Sequence, residues 1–173
     1  MNNEWETPKW LFDIFNEEVG GFHLDAAASH YNALCPNYFT KEDDALEQSW
    51  WSPRVESQTQ YVWLNPPFQN PLQEQFLLKA YKECQEAFVQ RKRLVVYSII
   101  PSTPETNRWI NAVSKASEIR FLSPRIRYID AESHREIGAP KWGTALVIFE
   151  YPRPHRKPQV AWQKILKPKK KRR

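Results

Sequence analysis

Four glycines in 173 residues rule out a phosphate cradle of the Gly-rich kind. Two cysteines, Cys35 and Cys84, are too few for a disulfide framework or a sulfur-rich metal cluster. The four histidines share no ligand spacing and pair with no cysteine, so no metal is expected. No apolar run approaches the roughly 18 residues needed to span a bilayer. The first twenty residues are acidic and aromatic, without the basic and apolar regions of a secretory signal. These absences lead us to expect a soluble, cytoplasmic protein with no membrane partner. Nothing in the chain decides between a monomer and a weak dimer.

What is present is a core. Hydrophobic residues make up 41% of the chain and aromatic ones 14%, which excludes a disordered or fibrous protein. The formal charge of +5 is unevenly placed. Ten cations and no acid lie between Arg153 and Arg173, leaving 15 cations against 20 acids in the first 152 residues. The expected organisation is therefore a compact domain over residues 1–151 and a basic, Pro-rich tail over 152–173. Lys169, Lys170, Lys171 and Arg172 in that tail suit a polyanion, which they would bind by releasing counterions regardless of sequence. Arg125, Arg127, Arg135 and Lys141 lie in a mostly basic stretch and are further candidates for phosphate contact.

Helical and extended patterns alternate. Thr7-Pro8 reads as an N-cap followed by proline at the first helical position, and Trp10, Leu11, Ile14 and Phe15 repeat at helical spacing up to Gly20-Gly21. A short strand over 22–25 and a helix over 26–34 are expected next. The apolar run 61–64 reads as a strand, 71–90 as a long helix and 94–100 as a buried central strand. Thr103-Pro104 opens another helix, with Trp109, Ile110 and Val113 as its buried face. Strands are expected over 119–122, 126–129 and 145–149. Such alternation indicates an α/β protein, with a mostly parallel central sheet flanked by helices and ligands at the carboxyl ends of the strands.

Asp25 and Asn65 each stand at the end of a predicted strand. The segment Asn65-Pro66-Pro67-Phe68 is the more informative of the two. Successive prolines fix φ and donate no backbone hydrogen bond. The turn thus offers the Asn65 side chain and the Pro66 carbonyl as rigid acceptors, with an aromatic ring one step beyond. Two acceptors and a ring suit a planar heterocycle carrying an exocyclic amine. Trp5, Trp50 and Trp51 are aromatic candidates for a ligand pocket, and Asp43 and Asp44 either bind a ligand or cap the following segment.

The tetrapeptide resembles the (Asp/Asn/Ser)-Pro-Pro-aromatic motif of methyltransferases acting on exocyclic amines. The longer run of Glu4-Trp5-Glu6-Thr7-Pro8, Leu24-Asp25-Ala26-Ala27-Ala28-Ser29, the stretch 32–46, Ile100-Pro101-Ser102, Arg108-Trp109, Arg125-Ile126-Arg127-Tyr128 and Gly138-Ala139-Pro140 resembles the compact phage-type DNA N6-adenine methyltransferases. The resemblance covers roughly residues 4 to 150. It implies a Rossmann-like methyltransferase fold, S-adenosylmethionine as methyl donor, DNA as partner and a bacterial host's cytoplasm as location. By position, Asn65, Pro66, Pro67 and Phe68 would be catalytic. Trp5, Thr7, Pro8, Asp25, Ala26, Ala27, Asp43 and Asp44 would line the cofactor. Alanines at 26–28 replace the glycine loop of larger relatives. Two alternatives stand beside this reading: amino methylation of cytosine, RNA or glutamine, and a nucleic-acid-binding protein that kept the fold without catalysis.

Overall fold

A computed structural model describes residues 5–138 and 140–168. In chain order the elements are β1 (Trp5–Glu6), α1 (Lys9–Val19), β2 (Leu24–Asp25), β3 (Thr59–Leu64), α2 (Leu72–Val89) and β4 (Arg93–Ser102). They continue with α3 (Asn107–Asn111), a 3-10 turn (Val113–Lys115), β5 (Glu118–Ser123), β6 (Ile129–Asp130), β7 (Gly143–Glu150) and β8 (Gln159–Lys164). Six strands form one sheet in the order β2-β3-β4-β7-β5-β8. Neighbours β2–β3, β3–β4 and β5–β8 run parallel, while β7 runs antiparallel to both β4 and β5. β1 and β6 form a separate antiparallel pair.

The sheet is buried on both faces because strand side chains alternate in direction. Val62, Leu64, Val96, Ile100, Val147 and Phe149 pack with Phe76, Leu77, Ala80 and Cys84 of α2. Trp63, Val95, Tyr97, Ile99, Leu146 and Ile148 pack with Leu11, Phe12 and Phe15 of α1. This gives three layers, with helices covering opposite faces of an α/β sheet.

Several local expectations change. The first helix begins after Pro8, whose carbonyl accepts from the Leu11 and Phe12 amides, and Thr7 makes no capping bond. At the other end Gly20 takes the left-handed conformation with φ 75°, its amide closing onto the Asn16 and Glu17 carbonyls. Residues 26–34 form turns and no helix. Side chains capture the amides a helix would use: Ala27 and Leu34 donate to the Asp25 carboxyl, Ser29 to Asn32 Oδ1 and Tyr31 to Ser29 Oγ. Of the strand expected over 126–129, only Ile129 is extended, and it pairs with β1 outside the main sheet. The helix expected from Thr103 starts at Asn107 and lasts one turn. That phase buries Arg108 and Trp109 and leaves Ile110 67% exposed.

The basic segment is also partly folded. Residues 159–164, assigned by sequence to the tail, form β8 and pair along the whole of β5. Ile165 follows into the core at 3% exposure, its amide donating to the Ser123 carbonyl. This part of the basic stretch can fold because it carries one cation, Lys164, and as an edge strand satisfies its backbone on the side that faces β5.

The loop entering β3 is fastened to α2 by a buried ion. Glu83, 3% exposed, lies 2.6 Å from Lys79 Nζ and accepts from the Trp50 amide at 2.7 Å. Replacing Glu83 with Ala strands both donors and is expected to cost about 3–5 kcal/mol. A urea titration checks this as a fall in midpoint at unchanged slope, and a loss below about 1 kcal/mol contradicts it.

Candidate active site

Because β2 and β3 are parallel, with Asp25 paired to Trp63, both strands deliver their last residues to one edge of the sheet. The chain leaves β3 through Asn65-Pro66-Pro67-Phe68, in which Pro66 is buried and Asn65 and Phe68 are half-buried. The Asn65 amide is used unequally. Its Nδ2 donates to the Trp5 carbonyl at 2.8 Å, while its Oδ1 is buried and has no donor among the described residues. A buried acceptor without a partner is costly in a native protein, and this one sits where the sequence placed a ligand amine.

On one side of the elbow is an aromatic cavity of about 180 Å³, lined by Trp5, Phe68, Pro101, Thr103, Arg108 and Trp142. The Trp5 and Trp142 rings stack at 5.3 Å and 12°. Phe68 meets Trp5 edge-on at 5.8 Å and Tyr128 at 5.6 Å. Pro101 comes from the carboxyl end of β4. Because β7 is antiparallel to β4, pairing Gly143 with Ser102, it brings Trp142 to the same edge. Arg108 is 8% exposed. Its Nη2 donates to Thr103 Oγ1 at 2.5 Å and its Nε has no acceptor. No carboxylate pairs with it among the described residues, and burial lowers its pKa against the pull of Glu105 and Glu74.

On the β2 side the residues are small. Ala26 is buried and donates its amide to the Trp63 carbonyl, and Ala27 is half-buried. Thr7 and Pro8 are buried too, and Thr7 Oγ1 lacks a partner. Asp25 is 3% exposed and accepts from Leu34 N at 3.1 Å and Ala27 N at 3.4 Å, so its carboxyl shapes the loop that follows. Burial pushes its pKa up to about 6, against the pull of those two amides. Asp43 accepts from Thr40 N and Oγ1, both at 2.8 Å, which hold its carboxyl below the usual range. Asp44, exposed with φ 50°, accepts from the Leu46 amide. Both acids therefore cap the 40–46 turn. Burial pushes the Cys35 thiol up to about 12, as expected of a packed cysteine.

Arg125, Arg127, Arg135 and Lys141 are exposed on the 124–142 loop that joins β5 to β7. Arg127 and Lys167 approach Glu136 at 3.7 and 2.5 Å. Lys169, Lys170, Lys171 and Arg172 lie outside the described residues. The structure thus unites Trp5 with Asn65–Phe68 through a hydrogen bond and ring contacts, and it keeps Asp43 and Asp44 in a turn of their own. Sequence reasoning missed Thr103, Arg108 and Trp142 as site residues. Thr103 read as a helix cap, Arg108 stood in a matched stretch without a role, and Trp142 carried no local signal. Among the described residues no group of three or more His, Cys, Asp or Glu could hold a metal ion. None of the described helices is long and apolar enough to cross a membrane.

The chain matches a family model described as DNA N-6-adenine-methyltransferase (Dam) over residues 1–172. It is 29% identical over 154 residues to a DNA N-6-adenine-methyltransferase of Haemophilus phage HP1, covering 87% of this chain and 80% of that one. It is 24% identical over 160 residues to a protein of the same name from Escherichia phage T1, covering 84% of this chain and 61% of that one.

The raised Asp25 carboxyl makes stability depend on pH. The folded state holds this proton more tightly than the unfolded chain, so the contribution is complete below about pH 4 and is lost as pH rises through about 6. The stability lost between about pH 4 and neutral pH amounts to about 3 kcal/mol. Asp25→Asn is expected to flatten the stability profile between pH 4 and 7, measured by denaturant unfolding at a series of pH values. Parallel profiles for the two proteins contradict the assignment.

Proposed function

The chain belongs to the DNA N-6-adenine-methyltransferase (Dam) family, and from that membership we propose that it methylates the exocyclic amine of adenine in DNA, using S-adenosylmethionine. The observation that carries this reading is the unpartnered Oδ1 of Asn65, held in place from its other end by the Trp5 carbonyl. A donor pair on a flat ring satisfies that oxygen and the Pro66 carbonyl together. The adjoining cavity, walled by Phe68, Trp5 and Trp142, suits one heterocycle stacked between aromatic rings.

The β2 side fits the methyl donor. Thr7 has a buried hydroxyl with no partner, and the alanines at 26 and 27 allow close backbone approach. We assign Thr7, Pro8, Ala26 and Ala27 to hold the donor, with Asp25 shaping their loop and Asp43 and Asp44 forming its outer turn. When bound, S-adenosylmethionine supplies a methyl group activated on a sulfonium, so that the amine gains an N–C bond as the S–C bond breaks and S-adenosylhomocysteine leaves.

The remaining work falls to the protein. The amine lone pair is delocalised into the purine ring and is a weak nucleophile. Hydrogen bonds from its two N–H groups to Asn65 Oδ1 and the Pro66 carbonyl favour the pyramidal nitrogen. They strengthen as positive charge develops there, and the surplus proton then departs to water. The base must leave the duplex first, at a cost of a few kcal/mol, of which stacking on aromatic side chains returns about 1–3.

Charge placement supports DNA as the partner. β8 is parallel to β5, so Lys164 is level with Ser123, at the sheet edge where the 124–142 loop and the cavity lie. The basic run continues from there. The duplex would cross Arg125, Arg127, Arg135 and Lys141, with the Lys/Arg terminus adding contacts of no sequence preference. We place this activity in the cytoplasm of a bacterial host.

Incubation with tritiated S-adenosylmethionine and unmethylated DNA, followed by nucleoside analysis, is expected to yield N6-methyladenosine in its deoxy form. N4-methylcytosine or no product overturns the reading. Asn65→Ala is expected to lower kcat by about 10²–10³-fold, the effect of losing one oxyanion-hole-type contact, with donor affinity nearly unchanged by calorimetry. Truncation after Pro168 removes five cations without touching β8 or Ile165. It should reduce the slope of log K against log salt by up to about 0.9 per lost phosphate contact, and an unaltered slope removes the terminus from the DNA interface.

A further inference from the structure

Arg108 stands out as a buried cation that the fold itself does not use. The residue is 8% exposed, yet the only described hydrogen-bond partner of its side chain is the neutral Thr103 hydroxyl, and the buried Nε has none. Burying an unpaired charge is among the costlier features of a native protein. The residue lines the cavity with Phe68, Trp5 and Trp142, which puts an incompletely paired cation beside a ligand-sized space.

Resting on the function proposed above, we infer that Arg108 is a base-recognition residue that donates to a ring nitrogen flanking the target amine. Adenine carries acceptors on both sides of its amino group, N1 and N7, whereas the amine itself only donates. Asn65 Oδ1 and the Pro66 carbonyl are acceptors and take the amine. The guanidinium, which has five donors and no acceptor, takes the neighbouring nitrogen. The two recognitions are chemically opposite and together describe an amine beside a ring acceptor. Guanine fails at the first, since its O6 would face Asn65 Oδ1. A phosphate is a poorer occupant of this space. The other lining residues are aromatic, proline and one threonine, so a phosphodiester would give up its hydration for one cation.

The test compares the wild-type enzyme on DNA in which every adenine is replaced by 7-deazaadenine, or every adenine by 1-deazaadenine, with ordinary adenine DNA. One analogue is expected to lose on the order of 10–100-fold in kcat/KM, as befits a hydrogen bond to a charged group left unmade. Arg108→Met and Arg108→Gln should lower turnover of ordinary DNA to the level of that analogue and show no further penalty on it. Equal turnover of adenine and both analogues by the wild-type enzyme overturns the inference without reference to any variant. So does an analogue penalty that persists in full in a folded Arg108 variant, because a structural role lowers all three substrates in proportion. Failure of the wild-type enzyme to methylate ordinary adenine DNA overturns the function proposed above as well, and is told apart from the other outcomes by that control.

Discussion

The Asn65 Nδ2–Trp5 carbonyl hydrogen bond is the constraint on which the site depends. It joins segments sixty residues apart and orients an amide whose two ends have opposite hydrogen-bonding character. With the donor end spent on the backbone, the acceptor end is left for a ligand. A carboxylate at this position would meet the Trp5 carbonyl oxygen with another oxygen, so the local geometry selects asparagine. The same contact brings the Trp5 ring against Phe68 and Trp142, so orientation of the acceptor and closure of the aromatic cavity have one cause.

Strand direction does the rest of the assembly. The parallel run β2-β3-β4 brings Ala26, Asn65 and Pro101 to one edge in that spatial order. The reversed β7 then adds its first residues, and Trp142 with them, instead of its last. The small-residue flank and the aromatic flank consequently fall on opposite sides of the Pro-Pro elbow. The methyl transfer proposed above would use this division, since donor and acceptor must reach one another without sharing a pocket. The register of β8 extends the logic to charge: pairing in parallel with β5 brings Lys164 to the edge where the cavity lies.

Two buried ionisable groups serve different ends. Asp25 accepts from two loop amides that it holds in place, and burial raises its pKa. Arg108 lines the cavity with a single hydroxyl partner among the described residues. The first is a structural charge near the site. The second has no carboxylate partner among the described residues, which fits the ligand role proposed for it.

Much was legible from the chain alone where chemistry is local. Pro66-Pro67 after an apolar run dictates a stiff elbow through φ restriction, and Val95 to Ile100 dictates a buried strand, whatever surrounds them. The order of motifs was sufficient to indicate the family. Other features were decided only by tertiary contact. The 26–34 segment has helical composition, but Asp25 and Asn32 compete for its amides once they are held in place. The segment at 159–164 lies inside a basic, Pro-rich stretch that reads as a solvated tail, but β5 offers it an open edge. Thr103, Arg108 and Trp142 meet because β7 is antiparallel, and strand direction leaves no trace in local composition. The sequence alone thus determined the identity and stiffness of the groups proposed to meet a substrate amine. Their partners across the cavity were set by long-range pairing, because backbone hydrogen bonds between strands distant along the chain are blind to the side chains they bring together.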